Sequence, residues 1–385
     1  MRRRLSIVLG AIIALFSIIG GLTACGEKHD AKDQPATVEQ AVEEPSVPAE
    51  NTVEEEEQMP EEQMAEDGLK VDGAHLTDAE GNPIQLRGIS THGIAWFPDY
   101  VNREAFLWVK ENAACNVVRI SMYTSEWGGY CVQTGDKDSL KQLIDEGVQA
   151  ATELGLYVII DWHILGADSE DREDCNPLHY VEEAKSFFGE MSSKYKDYPN
   201  VIYEICNEPN NGEFGEEFAV TWQDIKDYSN QVIPVIRANT DNVIVVGTPR
   251  WSSDVNAAAD DLDSEDSLSN QYSNIMYTYH FYAGSHRDWE RSELEKALQK
   301  GLPVFVTEYA SCDASGNGGI DETSMLAWYD LLDQYGVSYV KWNLSNKAET
   351  SAFINSSCGK VNDWSMDEIS PSGQLMIREY EKRSR

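Results

Sequence analysis

Two glutamates, Glu208 and Glu308, each close a short apolar segment of this 385-residue chain. An ionised carboxylate among apolar neighbours is costly unless it is paired or takes part in a reaction. Either glutamate alone could be a structural ion-pair partner. Other residues capable of acid–base chemistry, hydrogen bonding or stacking lie in or shortly after similar segments: His92, Arg119, Asp161, His163, Asn207, Trp251, His280, Tyr282 and Trp342. Because both acids share this setting, we interpret them as the centre of a functional site.

Eight short, almost continuously apolar segments carry or directly precede these residues, and such segments are typical of strands buried on both faces of a parallel sheet. The predicted strands are Ile84–Ser90, Val117–Met122, Tyr157–His163, Val201–Glu208, Val243–Thr248, Ile275–Tyr282, Pro303–Tyr309 and Tyr339–Leu344. Amphipathic helices are predicted between them, at Ser139–Leu154, Phe218–Arg237, Ser292–Leu298 and Glu322–Tyr335. Eight such units predict an α/β fold, the (β/α)8 or TIM barrel, whose functional residues lie at the carboxyl ends of the strands.

Two further segments belong to this predicted architecture. An N-terminal β-hairpin is expected to close the barrel bottom, with strands Leu69–Val71 and Leu76–Thr77 and residues 78–83 as its turn. Residues 254–274 are predicted to be mostly loop, so the helix there should be short or absent. A doubly wound open sheet is the alternative fold, but no glycine-rich phosphate turn follows the first strand.

The charge of the chain excludes several classes of protein. Thirty basic residues against 67 acidic ones give a formal net charge of −37, the opposite of what binding to nucleic acid or anionic lipid requires. Residues 25–67 contain fifteen acidic residues and four prolines but no aromatic residue. Such a segment cannot bury enough apolar surface to fold, so we predict a disordered acidic tether.

The N-terminus has the features of an export signal, with Arg2–Arg4 followed by an apolar run from Leu5 to about Gly21. The next residues, Leu-Thr-Ala-Cys at 22–25, resemble a bacterial lipobox, whose cysteine becomes diacylated. We therefore expect a lipoprotein signal peptide at 1–24 and lipid attachment at Cys25. The protein would be exported and either anchored at the cell surface or secreted. An uncleaved membrane anchor is the alternative.

Six cysteines remain after Cys25. Export permits disulfides, but Cys115 and Cys206 lie in or beside apolar segments, where a buried free thiol is common. Any disulfide is therefore expected to use the loop cysteines Cys131 and Cys175. No cysteine or histidine spacing predicts a zinc site, and we expect no metal ion and no cofactor.

The strand ends resemble glycoside hydrolase family 5, and in particular its bacterial endoglucanases. Ile-Tyr-Glu-Ile-Cys-Asn-Glu-Pro (202–209) is similar to the family's acid/base segment, and Val-Phe-Val-Thr-Glu-Tyr-Ala (304–310) is similar to its nucleophile strand. Five more segments match in order: Leu-Arg-Gly-Ile-Ser-Thr-His-Gly, Val-Val-Arg-Ile, Asp-Trp-His, Tyr-His-Phe-Tyr and Lys-Trp-Asn-Leu-Ser-Asn-Lys. Residues 68–385 are thereby identified as a catalytic domain of this family.

The resemblance implies retaining hydrolysis of a β-glycosidic bond by double displacement. Glu208 would protonate the departing oxygen, and Glu308 would attack the anomeric carbon. This mechanism needs the two carboxyl groups about 5–5.5 Å apart. Arg119 would lie beside Glu308 and hold it as an anion, while apolar neighbours would raise the pKa of Glu208. Tyr282 would also hydrogen-bond to Glu308.

The resemblance assigns the other matched residues to substrate contacts. Asn207 would donate to the sugar's 2-hydroxyl, and His280 would lie close to the two carboxylates. His92 and His163 would line the sugar beside the cleaved bond, although Asp161 and His163 could instead form a metal pair. Trp342, Trp96 and Tyr123 are assigned to the non-reducing side, Trp251 to the leaving-group side, and Lys347 and Glu349 to distal glucose hydroxyls.

The expected function is endo-acting cleavage of β-1,4-glucosidic bonds in a polysaccharide partner, cellulose or a related β-glucan. β-Mannanase or xyloglucanase activity is one alternative, and a surface lipoprotein that binds glycans without cleaving them is another. No cellulose-binding module is recognised, so soluble or amorphous chains are the expected substrates. We expect a monomer that binds no nucleic acid and contacts the membrane only through its lipid anchor.

Overall fold

The computed structural model describes residues 68–166, 172–212 and 215–384. The predicted signal peptide, the lipid-attachment residue Cys25 and the acidic tether therefore lie outside the described residues. Residues 167–171 and 213–214, within the barrel region, do too. Among the described residues, no helix has both the length and the apolar character needed to span a membrane.

Eight parallel strands form a closed barrel, which confirms the predicted fold. A hairpin of β1 (Lys70–Asp72) and β2 (His75–Thr77) precedes them. The barrel strands are β3 (Arg87–Thr91), β4 (Val117–Tyr123), β5 (Tyr157–His163), β6 (Val201–Glu204), β7 (Ile244–Val246), β8 (Ile275–Tyr282), β9 (Val304–Ala310) and β10 (Ser338–Leu344). Each pairs with the next along the chain, and β10 pairs with β3 to close the barrel.

The α-helices alternate with these strands. In the described part of the chain they are α1 (Arg103–Ala113), α2 (Lys137–Glu153), α3 (Val181–Lys194), α4 (Trp222–Arg237), α5 (Pro249–Ser252), α6 (Val255–Asp261), α7 (Leu268–Gln271), α8 (Asp288–Gln299), α9 (Glu322–Gln334) and α10 (Pro371–Arg383). Of these, α5 is a single turn whose last three residues are left-handed rather than helical. The connection predicted to be mostly loop holds two of the short helices, α6 and α7. Capping side chains fix where the helices begin. At the start of α2, for example, the Asp136 carboxylate accepts hydrogen bonds from the backbone N–H groups of Asp138 and Ser139.

The N-terminal hairpin packs at the bottom of the barrel, as predicted, but its turn lies elsewhere. β1 and β2 are joined at Gly73–Ala74, where Gly73 has a φ of 58° that suits glycine. Residues 78–83 instead return the chain to β2, where Pro83 bridges to Thr77. Leu69 and Leu76 pack against the lower interior residues Val117, Ile159, Ile202, Val243, Met276, Phe305 and Val340. The hairpin therefore supplies the apolar floor of the barrel.

The strand predicted to end at Glu208 is shorter than expected. Regular pairing in β6 stops at Glu204, and the chain then bends towards β5. The backbone N–H groups of Asn207 and Glu208 donate to the carbonyl oxygens of Trp162 and Ile164. Glu208 therefore reaches the barrel mouth from a loop, whereas Glu308 lies within β9.

None of the six cysteines at positions 115–358 is paired in the described structure. Cys131 and Cys175, the loop cysteines expected to form a disulfide if any were present, are unpaired as well. Cys175 is fully buried against Gly166, and burial raises the pKa of its thiol to about 11. The remaining cysteines, 131 excepted, are buried as well, which is the arrangement of packed free thiols.

Candidate active site

A cleft of about 420 Å³ opens at the carboxyl ends of the barrel strands. It is lined by both glutamates and by most of the other residues singled out from the sequence: His92, Tyr123, His163, Trp251, His280, Tyr282, Trp342, Lys347 and Glu349. Arg119 and Asn207 are fully buried beneath it, and Trp96 stacks on His92 behind its wall. The structure therefore brings all the predicted cleft residues into one neighbourhood.

Glu208 and Glu308 face each other across this cleft. One carboxylate oxygen from each lies within 4.8 Å of the other, and both lie within that distance of a ring nitrogen of His280. The two side chains are largely buried, with Glu208 9% and Glu308 4% exposed. Two carboxylates this close repel when both are ionised, so one of them tends to keep a proton.

Arg119 of β4 forms the base of the site. Its Nε and one terminal nitrogen donate to the two carboxylate oxygens of Glu204 at 2.7 and 3.1 Å. The other terminal nitrogen donates to Glu308 Oε2 at 3.2 Å. The guanidinium also lies 3.0 Å from Asp161 Oδ2 and donates to Asn207 Oδ1 at 2.6 Å. One buried cation thus serves three carboxylates and fixes the amide of Asn207.

The two facing glutamates differ in what stabilises their anions. Burial raises the pKa of Glu208 to about 8, against the opposing effect of Arg119, and the charges of Asp161 and Glu204 add to the rise. Glu308, in contrast, accepts hydrogen bonds from Arg119 and from Tyr282 Oη, the latter at 2.7 Å. Glu308 is therefore the better-stabilised anion of the pair.

Arg119 lies beside Glu308, as the resemblance implied, but it does not hold the pKa of Glu308 in its ordinary range. Burial raises that pKa, and the charge of Glu208 raises it further, while His280 and Arg119 act in the opposite direction. Desolvation thus outweighs the cation, which also contacts Glu204 and Asp161.

His280 of β8 lies next to both glutamates. Its Nδ1 is 2.8 Å from Glu208 Oε1, and its Nε2 is 3.0 Å from Thr307 Oγ1. Burial lowers the pKa of His280 to about 4, so the ring is neutral at neutral pH. Together with Glu208 and Glu308 it is the one cluster of the described residues whose ligand atoms are close enough to share a metal ion.

Asn207 is held by three neighbours. Besides its contact with Arg119, its Nδ2 donates to Ile164 O at 3.1 Å and lies 3.3 Å from His163 Nε2. His163 Nδ1 in turn lies 2.6 Å from Asp161 Oδ2. Donation from Asn207 to a sugar hydroxyl, which the resemblance implied, would have to replace the longer contact with His163.

Aromatic rings form one side of the cleft. Trp342 stacks on His163 with ring centroids 5.2 Å apart, and Trp96 lies 4.9 Å from Tyr123. The Tyr123 ring fits because residue 93 is glycine, where a Cβ atom would come within 1.9 Å of it. Flat apolar ring faces beside polar groups suit the C–H faces of sugars.

Lys347 and Glu349 stand on the same side of the cleft. Lys347 Nζ lies 2.8 Å from Glu349 Oε2 and 3.1 Å from His92 Nε2. The Asn343 amide and the Ser351 hydroxyl donate to Glu349 Oε1 at 2.8 and 2.7 Å. This pair is therefore an ordered part of the wall and not a freely solvated loop pair.

Trp251 lies on a strained turn on the opposite side. Arg250, Trp251 and Ser252 have φ values of 59°, 57° and 54°, a left-handed conformation that non-glycine residues rarely adopt. The turn is tied to the Glu208 loop, because Trp251 N–H donates to Pro209 O at 3.2 Å and Ser252 Oγ donates to Asn207 O at 2.5 Å. Trp251 remains 41% exposed at the cleft edge.

Sequence reasoning missed several residues of the site. Glu204 and Thr307, both fully buried, contact Arg119 and His280 behind the glutamates. Glu204 carried a usable signal, since it is a second acid within the apolar segment that contains Glu208. The cleft residues Arg250, His286 and 314–316 gave none, because they lie in loops that only folding brings to the cleft.

Comparisons with known proteins agree with this geometry. The profile of the cellulase family, glycosyl hydrolase family 5, matches residues 77–348. Endoglucanase A of Butyrivibrio fibrisolvens is 47% identical over 307 residues, which cover 79% of this chain and 66% of that protein. The match therefore spans slightly less than two thirds of that relative.

Solved structures of cellulases are also similar to this chain. Cellulase Cel5C_n superposes with a TM-score of 0.73 at 38% identity, covering 83% of this chain and 94% of the other. A Thermobifida fusca endoglucanase Cel5A catalytic-domain variant in complex with cellotetraose superposes at 0.71, with 35% identity and coverage of 83% and 98%. Since the family profile covers most of the barrel and both glutamates, this chain belongs to glycosyl hydrolase family 5.

Proposed function

We propose that this protein is an endo-acting, retaining glycoside hydrolase that cleaves internal β-1,4-glucosidic bonds of cellulose or related β-glucans. The observation that carries the proposal is the separation of less than 4.8 Å between carboxylate oxygens of Glu208 and Glu308. Retaining enzymes hold their two carboxyl groups about 5–5.5 Å apart, whereas inverting enzymes hold them about 6.5–9.5 Å apart to leave room for a water molecule. Nearest oxygens within 4.8 Å of each other fit the shorter separation. The names of the similar proteins, endoglucanase and cellulase, support the substrate class.

In the first step, Glu308 attacks the anomeric carbon as a carboxylate. Glu208 gives its proton to the glycosidic oxygen as the carbon–oxygen bond breaks, which leaves a glycosyl ester on Glu308. Arg119 and Tyr282 each hydrogen-bond one oxygen of Glu308, so its orientation is set before substrate arrives. His280 contacts Glu208 and orients the proton donor.

In the second step, the roles of Glu208 reverse. As a carboxylate it takes a proton from a water molecule, and that water attacks the anomeric carbon and displaces Glu308. The sugar thereby regains its original configuration, and Glu208 is protonated again. The same residue can serve as acid and base because its pKa, about 8, lies near neutral pH.

A substrate panel tests the activity. Reducing-sugar release should be greatest on carboxymethylcellulose or barley β-glucan, with a rapid fall in viscosity that marks internal cleavage. Glu308→Gln should lower turnover by about 10³-fold or more while substrate binding remains. A preference for glucomannan or xyloglucan would instead favour the alternative family activities, and binding without hydrolysis by the unaltered protein would favour a glycan-binding role.

The stereochemistry is tested separately by 1H NMR of the first product formed. Retention predicts that the β-anomer appears before mutarotation equilibrates the sample. An initial α-anomer would show inversion and would contradict the double displacement proposed from the Glu208–Glu308 separation.

We also propose that the protein is exported and carries diacylglycerol on Cys25, on the basis of the sequence at 2–25. Cells expressing the full chain should incorporate labelled palmitate into it. Cys25→Ala should abolish the labelling without affecting hydrolysis by the barrel. Equal labelling of both proteins would refute attachment at this residue.

A further inference from the structure

A line of buried hydrogen bonds runs behind Glu208 and ends at Arg119. From Arg119 it passes through Glu204 and Thr307 to His280, and from there to Glu208. Glu204 and Thr307 are fully buried and His280 is 2% exposed. Arg119 can only donate and the Thr307 hydroxyl has a single hydrogen, so the direction of the bonds in the line can be worked out from these two groups.

The direction is set at the Arg119 end. Arg119 donates one N–H to each oxygen of Glu204, at 2.7 and 3.1 Å, the paired geometry of a guanidinium and a carboxylate. Glu204 therefore acts as an acceptor. Its Oε1 lies 2.8 Å from Thr307 Oγ1, so the single hydroxyl hydrogen of Thr307 points to Glu204.

That assignment fixes the tautomer of His280. Thr307 has no second hydrogen, so its oxygen can only accept from His280 Nε2 at 3.0 Å. The remaining lone pair of Thr307 faces the hydroxyl of Thr278. A neutral imidazole that carries its hydrogen on Nε2 has a bare lone pair on Nδ1.

We propose that Glu204 and Thr307 are positioning residues that hold His280 as the Nε2–H tautomer, so that Glu208 must supply the proton in its 2.8 Å contact with Nδ1. The line therefore selects Glu208, and not Glu308, as the residue that carries the proton before cleavage. Once Glu208 has given that proton away, its carboxylate faces a lone pair. This strengthens it as the base that deprotonates water.

This inference rests on the proposed function, because it concerns the proton that Glu208 donates there. Several other titratable and charged groups face Glu208 and His280 from the surrounding strands: Arg119 of β4, Asp161 and His163 of β5, Tyr282 of β8 and Glu308 of β9. None of these accepts from His280 Nε2, and Glu204 lies 3.9 Å from it. Removal of the Thr307 hydroxyl is therefore the selective perturbation.

Thr307→Val keeps the shape of the side chain but removes its hydroxyl, and Thr307→Ser is the matched control that keeps it. Without an acceptor at Nε2, His280 can move its hydrogen to Nδ1 and stabilise ionised Glu208. The basic limb of the kcat/KM profile should then shift to lower pH by about one unit or more. Thr307→Ser should retain the wild-type limb.

Two substrates separate proton donation from a general loss of structure. Hydrolysis of barley β-glucan by Thr307→Val at pH 7 should fall by about tenfold or more, since its leaving group needs a proton. The kcat/KM for 2,4-dinitrophenyl β-cellobioside should change by less than about threefold, because it reports the first step, in which dinitrophenolate leaves without a proton. Equal losses on both substrates with an unmoved basic limb would overturn the role of Thr307.

The tautomer itself can be measured in the full, unaltered protein. Histidine 15N–1H correlation spectra distinguish the two neutral tautomers, and comparison with His280→Asn identifies the signals of His280. We expect the Nε2–H form, and an Nδ1–H form would overturn the inference. If the wild-type protein hydrolysed neither substrate, the proposed function would fail instead, whatever tautomer is found.

Discussion

Arg119 links most of the ionisable groups at the base of the site. It contacts Glu204, Asp161 and Glu308 while fully buried, so its loss would leave several carboxylates without a counter-charge. Removal of one partner from a buried ion pair typically costs 3–5 kcal/mol. Lysine keeps the charge but has one ammonium group, which cannot contact Glu204, Asp161 and Glu308 together, so we expect Arg119→Lys to lower the free energy of unfolding by about 3 kcal/mol and kcat by about 10²-fold.

Urea denaturation and initial rates on β-glucan would measure both effects. Arg103→Lys is the matched control, because Arg103 pairs with Glu153 on the surface, where the two side chains are 46% and 59% exposed. Such a pair contributes less than about 1 kcal/mol. Similar losses of stability and of kcat in the two variants would show that Arg119 contributes no more than a surface arginine.

Glu208 should determine how activity falls at high pH. Its pKa of about 8 is raised above the ordinary value for a glutamate, so the proton is present below pH 8 and is lost as the pH rises through that value. kcat/KM should therefore decline on the basic side with an apparent pKa near 8. Glu308 must be ionised, and since its pKa is also raised, the acidic decline should lie above the pKa of an unperturbed glutamate.

A pH series of kcat/KM on soluble β-glucan would give both limbs. In Glu208→Ala, assayed with 2,4-dinitrophenyl β-cellobioside, the basic limb should disappear because the group that titrates is gone. If the basic limb persisted there, another residue would be the proton donor.

The α5 turn, Pro249–Ser252, lies between β7 and α6 and positions the Glu208 loop. Three consecutive left-handed residues are held there by the bond from Ser252 Oγ to Asn207 O, which also ties Trp251 to the Glu208 loop. Such conformations cost about 1–3 kcal/mol each and persist only where the surroundings enforce them. We expect Ser252→Ala to lower kcat/KM on β-glucan by about tenfold through the lost hydrogen bond.

Ser253→Ala is the matched control for Ser252→Ala. Ser253 Oγ donates only to the nearby Arg250 O, within the exposed part of the same turn. Ser253 also lines the cleft, but its hydrogen bond stays within the turn, so Ser253→Ala should lower kcat/KM clearly less than Ser252→Ala. Equal effects of the two serines would show that the tie to Asn207 carries no catalytic effect.

At the scale of the whole molecule, stability and catalysis lie at opposite ends of the barrel. Leu76 is 2% exposed and packs with Leu69 among the lower interior residues, whereas the cleft opens at the upper end. Leu76→Ala should lower the free energy of unfolding by about 2–4 kcal/mol, because it leaves a cavity in the barrel floor. kcat at a temperature where the variant is folded should stay close to wild type.

Val71 offers the control for this experiment, since it is only partly buried at the edge of the same cluster. Val71→Ala should cost less than Leu76→Ala by urea denaturation, because less apolar surface and a smaller cavity are involved. A large fall in kcat for the folded Leu76→Ala protein would show that the floor and the site are coupled after all.

Much of this molecule could be predicted before folding is considered. The eight strands follow from apolar segments separated by amphipathic ones, and the ends of those segments supplied Glu208, Glu308, His280 and Tyr282. The errors lie where local pattern is a weak guide. The hairpin turn was placed at 78–83 instead of Gly73–Ala74, and β6 was extended to Glu208 because an apolar run does not show where sheet pairing stops.

The sequence by itself determined that eight strands alternate with helices and that the two glutamates lie in or just after two of those strands, because periodicity and apolar runs depend on neighbours along the chain. Only the tertiary structure decided that Arg119 is shared among three carboxylates, that burial raises the pKa of Glu308 despite Arg119, and that Thr307 lies between Glu204 and His280. Desolvation and the direction of hydrogen bonds depend on atoms from different strands. These atoms meet only when the barrel closes.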